Sequence, residues 1–176
     1  MPRLWVSDTL IGFLGGASYP TDIMANASEL SGVTFDWPVR VYYEDTDAAG
    51  VVFYANYLRF MERGRTEWLR SIGYEQDVLR DAKGILFAVR RVNLEYQNSA
   101  LFNELLLVRS AVTHLGGASM EFEQSVLRPA DGKICCRGEV NVVCLDATTK
   151  RPRRLPSELA AAIQSSIGCA VPASSE

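Results

Sequence analysis

The feature that most constrains this chain is a change of period. A helical pattern starts within residues 54–56 and runs to about residue 72. Its apolar residues Leu58, Met61, Trp68, Leu69 and Ile72 share one stripe, which Tyr57 and Phe60 widen. From Leu86 onward the period falls to two. Strand-like runs cover residues 86–96, 104–115, 119–127 and 133–145, with turn signals at Gly116-Gly117 and at residues 129–132, Pro-Ala-Asp-Gly. The last run alternates most cleanly, setting Ile134, Cys136, Gly138, Val140, Val142 and Cys144 against Arg137, Glu139 and Asn141. Strands joined by tight turns form an antiparallel sheet. A helix that is apolar on most sides must bury itself against that sheet. The expected architecture is α+β, an antiparallel sheet wrapped around one long central helix.

Smaller signals fill in this frame. An earlier strand is expected at residues 38–43, where Val39, Val41 and Tyr43 alternate with Arg40 and Tyr42. Gly64 in mid-helix costs about 1 kcal/mol relative to Ala, which points to close contact with the sheet. Arg63 and Glu67 are spaced for an i,i+4 ion pair. Gly73 is a helix stop, a second short helix is expected over residues 75–83 closed by Gly84, and a last one over 157–164, capped by Ser157 or the backbone near Pro156. Residues 1–34 are rich in Gly, Ser, Ala and Thr without a sustained period, and they read as a poorly ordered extension. The structured part is then residues 35–156, followed by a short helix and polar tail over 157–176.

Composition excludes several classes. A formal net charge of -3 over 176 residues gives no global attraction to nucleic acid. No apolar run approaches the roughly 20 residues that span a bilayer. The cysteines Cys135, Cys136, Cys144 and Cys169 form no Cys-x-x-Cys pair and read as reduced packing residues in a cytoplasmic protein. There is no Gly-x-Ser-x-Gly elbow, Walker A loop, Gly-x-Gly-x-x-Gly or His/Cys metal cluster, and the only histidine, His114, reads as an ordinary strand residue.

Chemistry concentrates just before the long helix. Glu44, Asp45 and Asp47 crowd together, Gly50 follows, and the helix begins near Tyr54. A helix N-terminus presents N–H groups that no helical carbonyl satisfies, at the positive end of the macrodipole. A carboxylate beside such donors suits attack on a carbonyl with stabilisation of the oxyanion. Glu44 and Asp45 read as solvating or capping groups. Asn56 can cap the helix, hold the loop or touch a substrate. Asp45-x-Asp47 also admits a Mg²⁺-dependent phosphatase, but the alternating strand–helix pattern of such enzymes is missing. A non-catalytic acyl-binding module is the third reading.

Residues 39–57 read Val-Arg-Val-Tyr-Tyr-Glu-Asp-Thr-Asp-Ala-Ala-Gly-Val-Val-Phe-Tyr-Ala-Asn-Tyr. This run resembles the signature of the 4-hydroxybenzoyl-CoA thioesterase family, and most closely its Tol–Pal-associated acyl-CoA thioesterase branch. The likeness continues through Glu-Arg-x-Arg-Thr-Glu at 62–67, the strand at 89–96, Val-Val-Cys-Leu-Asp at 142–146 and Pro-Arg-x-Leu-Pro at 152–156, spanning roughly residues 35–160. It implies the hotdog fold and hydrolysis of acyl-CoA, or of an acyl group on acyl carrier protein, with no metal or redox cofactor. It implies Asp47 as the catalytic carboxylate and the Tyr54 backbone N–H as the carbonyl-polarising donor, with Gly50 as the hinge between them. It also implies a homodimer or homotetramer with its active site at a subunit interface. That branch commonly has histidine where this chain has Tyr54. The turn at residues 115–118 lacks the basic cluster that some members place there for CoA phosphates, so Arg90, Arg91 or the basic residues of segment 151–154 are the expected substitutes.

Overall fold

A computed structural model describes residues 33–168. The extension expected over residues 1–34 falls almost wholly outside the described residues, as do Cys169 and most of the polar tail. The elements are β1 (Phe35–Arg40), α1 (Asn56–Ser71), α2 (Gln76–Lys83), β2 (Ile85–Tyr96), β3 (Leu105–Leu115), β4 (Ser119–Arg128), β5 (Lys133–Asp146) and α3 (Ser157–Ser166). The strands form one antiparallel sheet in the order β1-β3-β4-β5-β2. β3, β4 and β5 are a meander of neighbours in sequence. β1 and β2 arrive from the N-terminal half and occupy the two edges.

α1 lies across the inner face of this sheet. Its first half packs into one apolar cluster, where Tyr57, Phe60 and Met61 meet Val39, Val41, Leu106, Val108, Val126 and Cys135. Its second half enters another, where Trp68 and Leu69 meet Val112, Met120, Phe122, Val140 and Val142, closed from outside by Leu159 and Ile163 of α3. Phe60 and Met61 are completely buried, each contributing about 2–3 kcal/mol of apolar transfer. Gly64 shows why the helix tolerates a glycine: a Cβ there would lie 2.7 Å from Val108 Cγ1. The close contact expected from the sequence is present. Helix and sheet touch at a separation that only hydrogen permits.

Two local expectations need correction. β1 starts and ends earlier than residues 38–43, because the chain leaves the ladder at Tyr42. The Tyr42 N–H donates to Asp45 Oδ2 at 2.8 Å, and residues Tyr43–Asp45 wind into one 3-10 turn. Tyr43, which the alternation put inside, is 77% exposed and stacks on Phe102 with ring centres 4.0 Å apart. The ion pair expected between Arg63 and Glu67 is also absent among the described residues. Glu67 pairs instead with Arg70, which also binds Glu75 at 2.8 Å. Cys135, Cys136 and Cys144 are buried free thiols, as expected. Burial, with Cys135 beside it, pushes the Cys136 thiol up to about 12.

Candidate active site

The acidic stretch forms a small two-armed loop between β1 and α1. Asp47 N–H donates to Val51 O at 2.9 Å, Gly50 N–H donates to Asp47 O at 2.9 Å, and Thr46 bridges to Val52. Gly50 closes this turn with φ +74, a conformation that favours glycine. The hinge expected at Gly50 is therefore a turn-closing residue. Asp47 sits at the tip, exposed to solvent. Its Oδ1 accepts the Ala49 N–H at 2.8 Å, which fixes the carboxylate against its own turn.

The two neighbouring acids differ from Asp47. Asp45 is 2% exposed, its carboxylate binds the Tyr42 N–H, and its backbone carbonyl accepts the Phe53 N–H at 2.8 Å. Glu44 is exposed. Asp45 thus anchors the loop, while Asp47 is the carboxylate presented outward.

Asn56, the first residue of α1, is buried. Its Nδ2 donates to Asp45 O at 2.9 Å and to Glu44 O at 3.4 Å. Of the roles open to it from sequence, the structure shows loop anchoring. The side chain neither caps α1 nor faces solvent. The N-cap position is Ala55, which has no capping side chain. The backbone N–H groups of Tyr54 and Ala55 donate to no acceptor among the described residues. The start of α1 therefore offers unspent donors on the same loop that carries Asp47.

Tyr54 is held from the far side. Tyr96, the last residue of β2, donates its hydroxyl to Tyr54 O at 3.0 Å, and its ring meets those of Tyr54 and Tyr57 edge-on. Tyr57 in turn accepts the Ala100 N–H on its hydroxyl at 3.2 Å. Burial, with Cys135 nearby, pushes the Tyr57 phenol up to about 12 and keeps it neutral. Sequence reading missed Tyr96. Its partner lies 42 residues upstream, and nothing local marks a strand-end tyrosine as a support.

Arg90 and Arg91 lie in the middle of β2, at an irregularity in its pairing with β5 between Val89 and Arg91. Both are exposed and line a shallow depression with Glu121 and Asn141. Arg91 Nη2 is 3.8 Å from Glu121 Oε1. They are five and six positions before Tyr96, roughly 17–20 Å along a strand, so one protomer does not bring them to the acidic loop. The segment 150–154 leaves β5 beside the start of β2, where Arg153 binds Gly84 O at 3.0 Å and Asp146 at 3.2 Å. Among the described residues no group of three or more His, Cys, Asp or Glu is placed to hold a metal ion, and no helix is long and apolar enough to cross a membrane.

An acidic turn beside an uncapped helix laid across an antiparallel sheet defines a class, and comparison with known proteins agrees with it. The model of the thioesterase-like superfamily matches residues 41–163, and the chain belongs to that family. The acyl-CoA thioester hydrolase YbgC of Escherichia coli O157:H7 is 42% identical over 127 residues, covering 72% of this chain and 93% of that protein. The acyl-CoA thioesterase YbgC of Haemophilus influenzae is 40% identical over 128 residues, covering 73% and 93%. Among solved structures, a probable thioesterase from Bartonella henselae superposes with a TM-score of 0.66 at 33% identity, covering 70% of this chain and 99% of that one. The protein has the hotdog fold and is an acyl-CoA thioester hydrolase.

Proposed function

We propose that Asp47 and the Tyr54 backbone N–H carry the hydrolysis of an acyl-CoA thioester to free acid and CoA. The observation that supports this most is the pairing, on one short loop, of an outward-facing carboxylate with helix-start donors left without acceptors. The thioester oxygen accepts the Tyr54 N–H, and the negative charge that develops there is stabilised by that donor and by the α1 dipole. Asp47 Oδ1 is tied to Ala49, which leaves Oδ2 to act on the carbonyl carbon. Direct attack forms a mixed anhydride and expels the CoA thiolate, and water then cleaves the anhydride. In the general-base route Asp47 takes a proton from water, which attacks instead. Because the donor is a backbone group, tyrosine at position 54 can serve where histidine is common.

The test is release of free thiol from a panel of acyl-CoA substrates, with Asp47→Asn alongside. The expected result is metal-independent hydrolysis that falls at least about a hundredfold in the variant. No thiol release from any substrate, or an unaffected variant, discards the assignment, and the former favours an acyl-binding module. A single turnover in ¹⁸O-water separates the two routes, since only the anhydride route can leave label in the Asp47 carboxylate.

The working form in this reading is a homodimer built across β2, with a homotetramer as its further assembly. β2 is a twelve-residue edge strand that leaves Val89 48% and Val92 37% exposed. An edge of that length and character is ready to pair with another strand. Antiparallel pairing of two β2 strands would carry Arg90 and Arg91 to the shared seam, from which CoA phosphates of either site come nearer. Delivery of the acyl group on CoA or on acyl carrier protein, and residence in the cytoplasm, complete the reading. Three unpaired buried thiols are consistent with a reducing compartment.

A further inference from the structure

The connection between β2 and β3, residues 97–104, is folded as an arch against the acidic loop. It grips that loop on both sides of Asp47. On the near side, the Val41 N–H donates to Glu104 O at 3.0 Å and the Asn103 N–H donates to Val41 O at 3.0 Å. On the far side, the Val52 N–H donates to Ala100 O at 2.8 Å, and Val51 bridges to Leu101. Val51 O is also the acceptor of the Asp47 N–H. A displacement of the arch is therefore passed to the turn that presents Asp47.

Apolar burial does little to hold this arch. Ala100 is buried, but Leu101 and Phe102 are exposed, and Asn103 takes φ +66, a conformation that few residues other than glycine adopt. Polar contacts hold it instead, and one guanidinium joins its two feet. Arg128, the last residue of β4, donates its Nη1 to Ser99 O at 3.1 Å and to the two oxygens of Glu104 at 3.2 and 3.1 Å. Glu104 Oε2 also accepts the Leu101 N–H at 3.0 Å. Ala100, Leu101 and Asn103, which grip the acidic loop, all lie between the clamped feet Ser99 and Glu104. Both side chains of this ion pair are largely shielded from water, where such a contact is stronger than on an open surface. The Nε and Nη2 donors go to Asp131 in the β4–β5 turn, at 3.0 and 2.9 Å. One arginine thus ties the arch to the β4–β5 hairpin.

We propose that Arg128 is a positioning residue for thioester hydrolysis. By clamping Ser99 to Glu104 it sets the arch, and through Val51 and Val52 the arch aligns Asp47 with the Tyr54 donor. Arg128 itself touches none of the reacting groups. The inference rests on the reading, proposed above, that this loop and the start of α1 carry the reaction.

Kinetics and amide exchange on the full chain test it. In Arg128→Met, kcat for free-thiol release should fall at least about tenfold, with KM within about twofold of the parent. Glu104→Gln keeps the shape of the clamp without its charge, and kcat should fall about threefold. The double variant should be no slower than Arg128→Met, because both changes cut one contact. Asp131→Asn is the control for stability alone: it weakens the hold on the same arginine from the hairpin side and should leave kcat at the parental level. Without substrate, exchange of the Val52 amide should quicken at least about tenfold in Arg128→Met and stay constant in Asp131→Asn. Unchanged exchange, a parental kcat in Arg128→Met, or an equal loss in Asp131→Asn overturns the proposal. Should Arg128→Met fail to fold, Glu104→Gln decides, and a parental kcat there overturns it. Asp47→Asn is assayed alongside. An active Asp47→Asn discards the role of that carboxylate, and a kcat loss with faster Val52 exchange in Arg128→Met still supports the clamp.

Discussion

The two ends of α1 are built on opposite plans. At the C-terminal end two backbone bonds close the helix: Gly73 N–H donates to Arg70 O at 2.9 Å, Tyr74 N–H donates to Leu69 O at 3.1 Å, and Gly73 takes φ +92 to allow both. That is a full Schellman closure. At the N-terminal end the cap is alanine, the Tyr54 and Ala55 N–H groups are unspent, and the buried polar side chain Asn56 binds the loop instead of the helix. A helix with good caps at both ends would be more stable by about 1 kcal/mol. In the proposed mechanism the missing cap leaves donors for the substrate, and the comparison then sets a stability end against a reaction end.

Substitutions at each end should therefore fail differently. Among these the largest effect is expected from Asn56→Ala, which removes the side-chain bonds to Asp45 O and Glu44 O and costs about 1–3 kcal/mol. Since it also unpins Asp47 from the helix start, kcat should fall by at least about tenfold, and a variant with normal turnover would show that the loop does not depend on this anchor. Tyr96→Phe comes next. It removes only the bond to Tyr54 O, costing about 1 kcal/mol, and should lower kcat severalfold with KM nearly constant. A change confined to KM would place Tyr96 in substrate binding. At the opposite end, Gly73→Ala forces a left-handed alanine into open space and should cost about 1 kcal/mol in chemical denaturation. Its kcat should match the parent, and a slower enzyme would dissolve the distinction between the two ends.

The smallest effect lies away from the helix. Arg128 holds the Asp131 carboxyl down to about 2, helped by the Lys133 N–H. A carboxyl depressed in the folded state adds stability that is complete above its unfolded pKa of about 3.9 and lost as pH falls toward 2. The pair is partly solvated, so the gain is below about 1 kcal/mol. Stability curves of the parent and Asp131→Asn should converge between pH 4 and pH 2, and a gap that persists at pH 2 would assign the difference to something other than charge.

Much of this was legible in the sequence because its causes are local. Period fixed α1 and the meander, and glycines marked Gly50, Gly73 and Gly84 as turns or helix ends. Gly64 announced a close approach, and the meeting with Val108 supplied its partner. What stayed hidden depends on contacts between distant segments. The alternation through Tyr43 could not reveal that Asp45 would capture the Tyr42 N–H and turn the chain outward. Glu67 had two suitable arginines at helical spacing, and Glu75, beyond the helix, helped decide for Arg70. Within the site, Asp47, Gly50 and Tyr54 could be nominated from one contiguous run. The support from Tyr96 joins a strand end to a loop 42 residues upstream and leaves no spacing to read.

The strand order has a consequence for how the protein becomes active. β3, β4 and β5 meet through neighbours such as Leu115 with Met120 and Arg128 with Lys133, whereas β1 must bring Arg40 to Leu105 and β2 must bring Ile85 to Asp146. Short closures cost less chain entropy than long ones. The meander is therefore the natural early scaffold, and the loop carrying Asp47, tethered to β1 on one side and braced by β2 on the other, is organised last. During refolding from denaturant, strand signal should return before thioester hydrolysis does, so that newly made chains pass through a stage that is structured but silent.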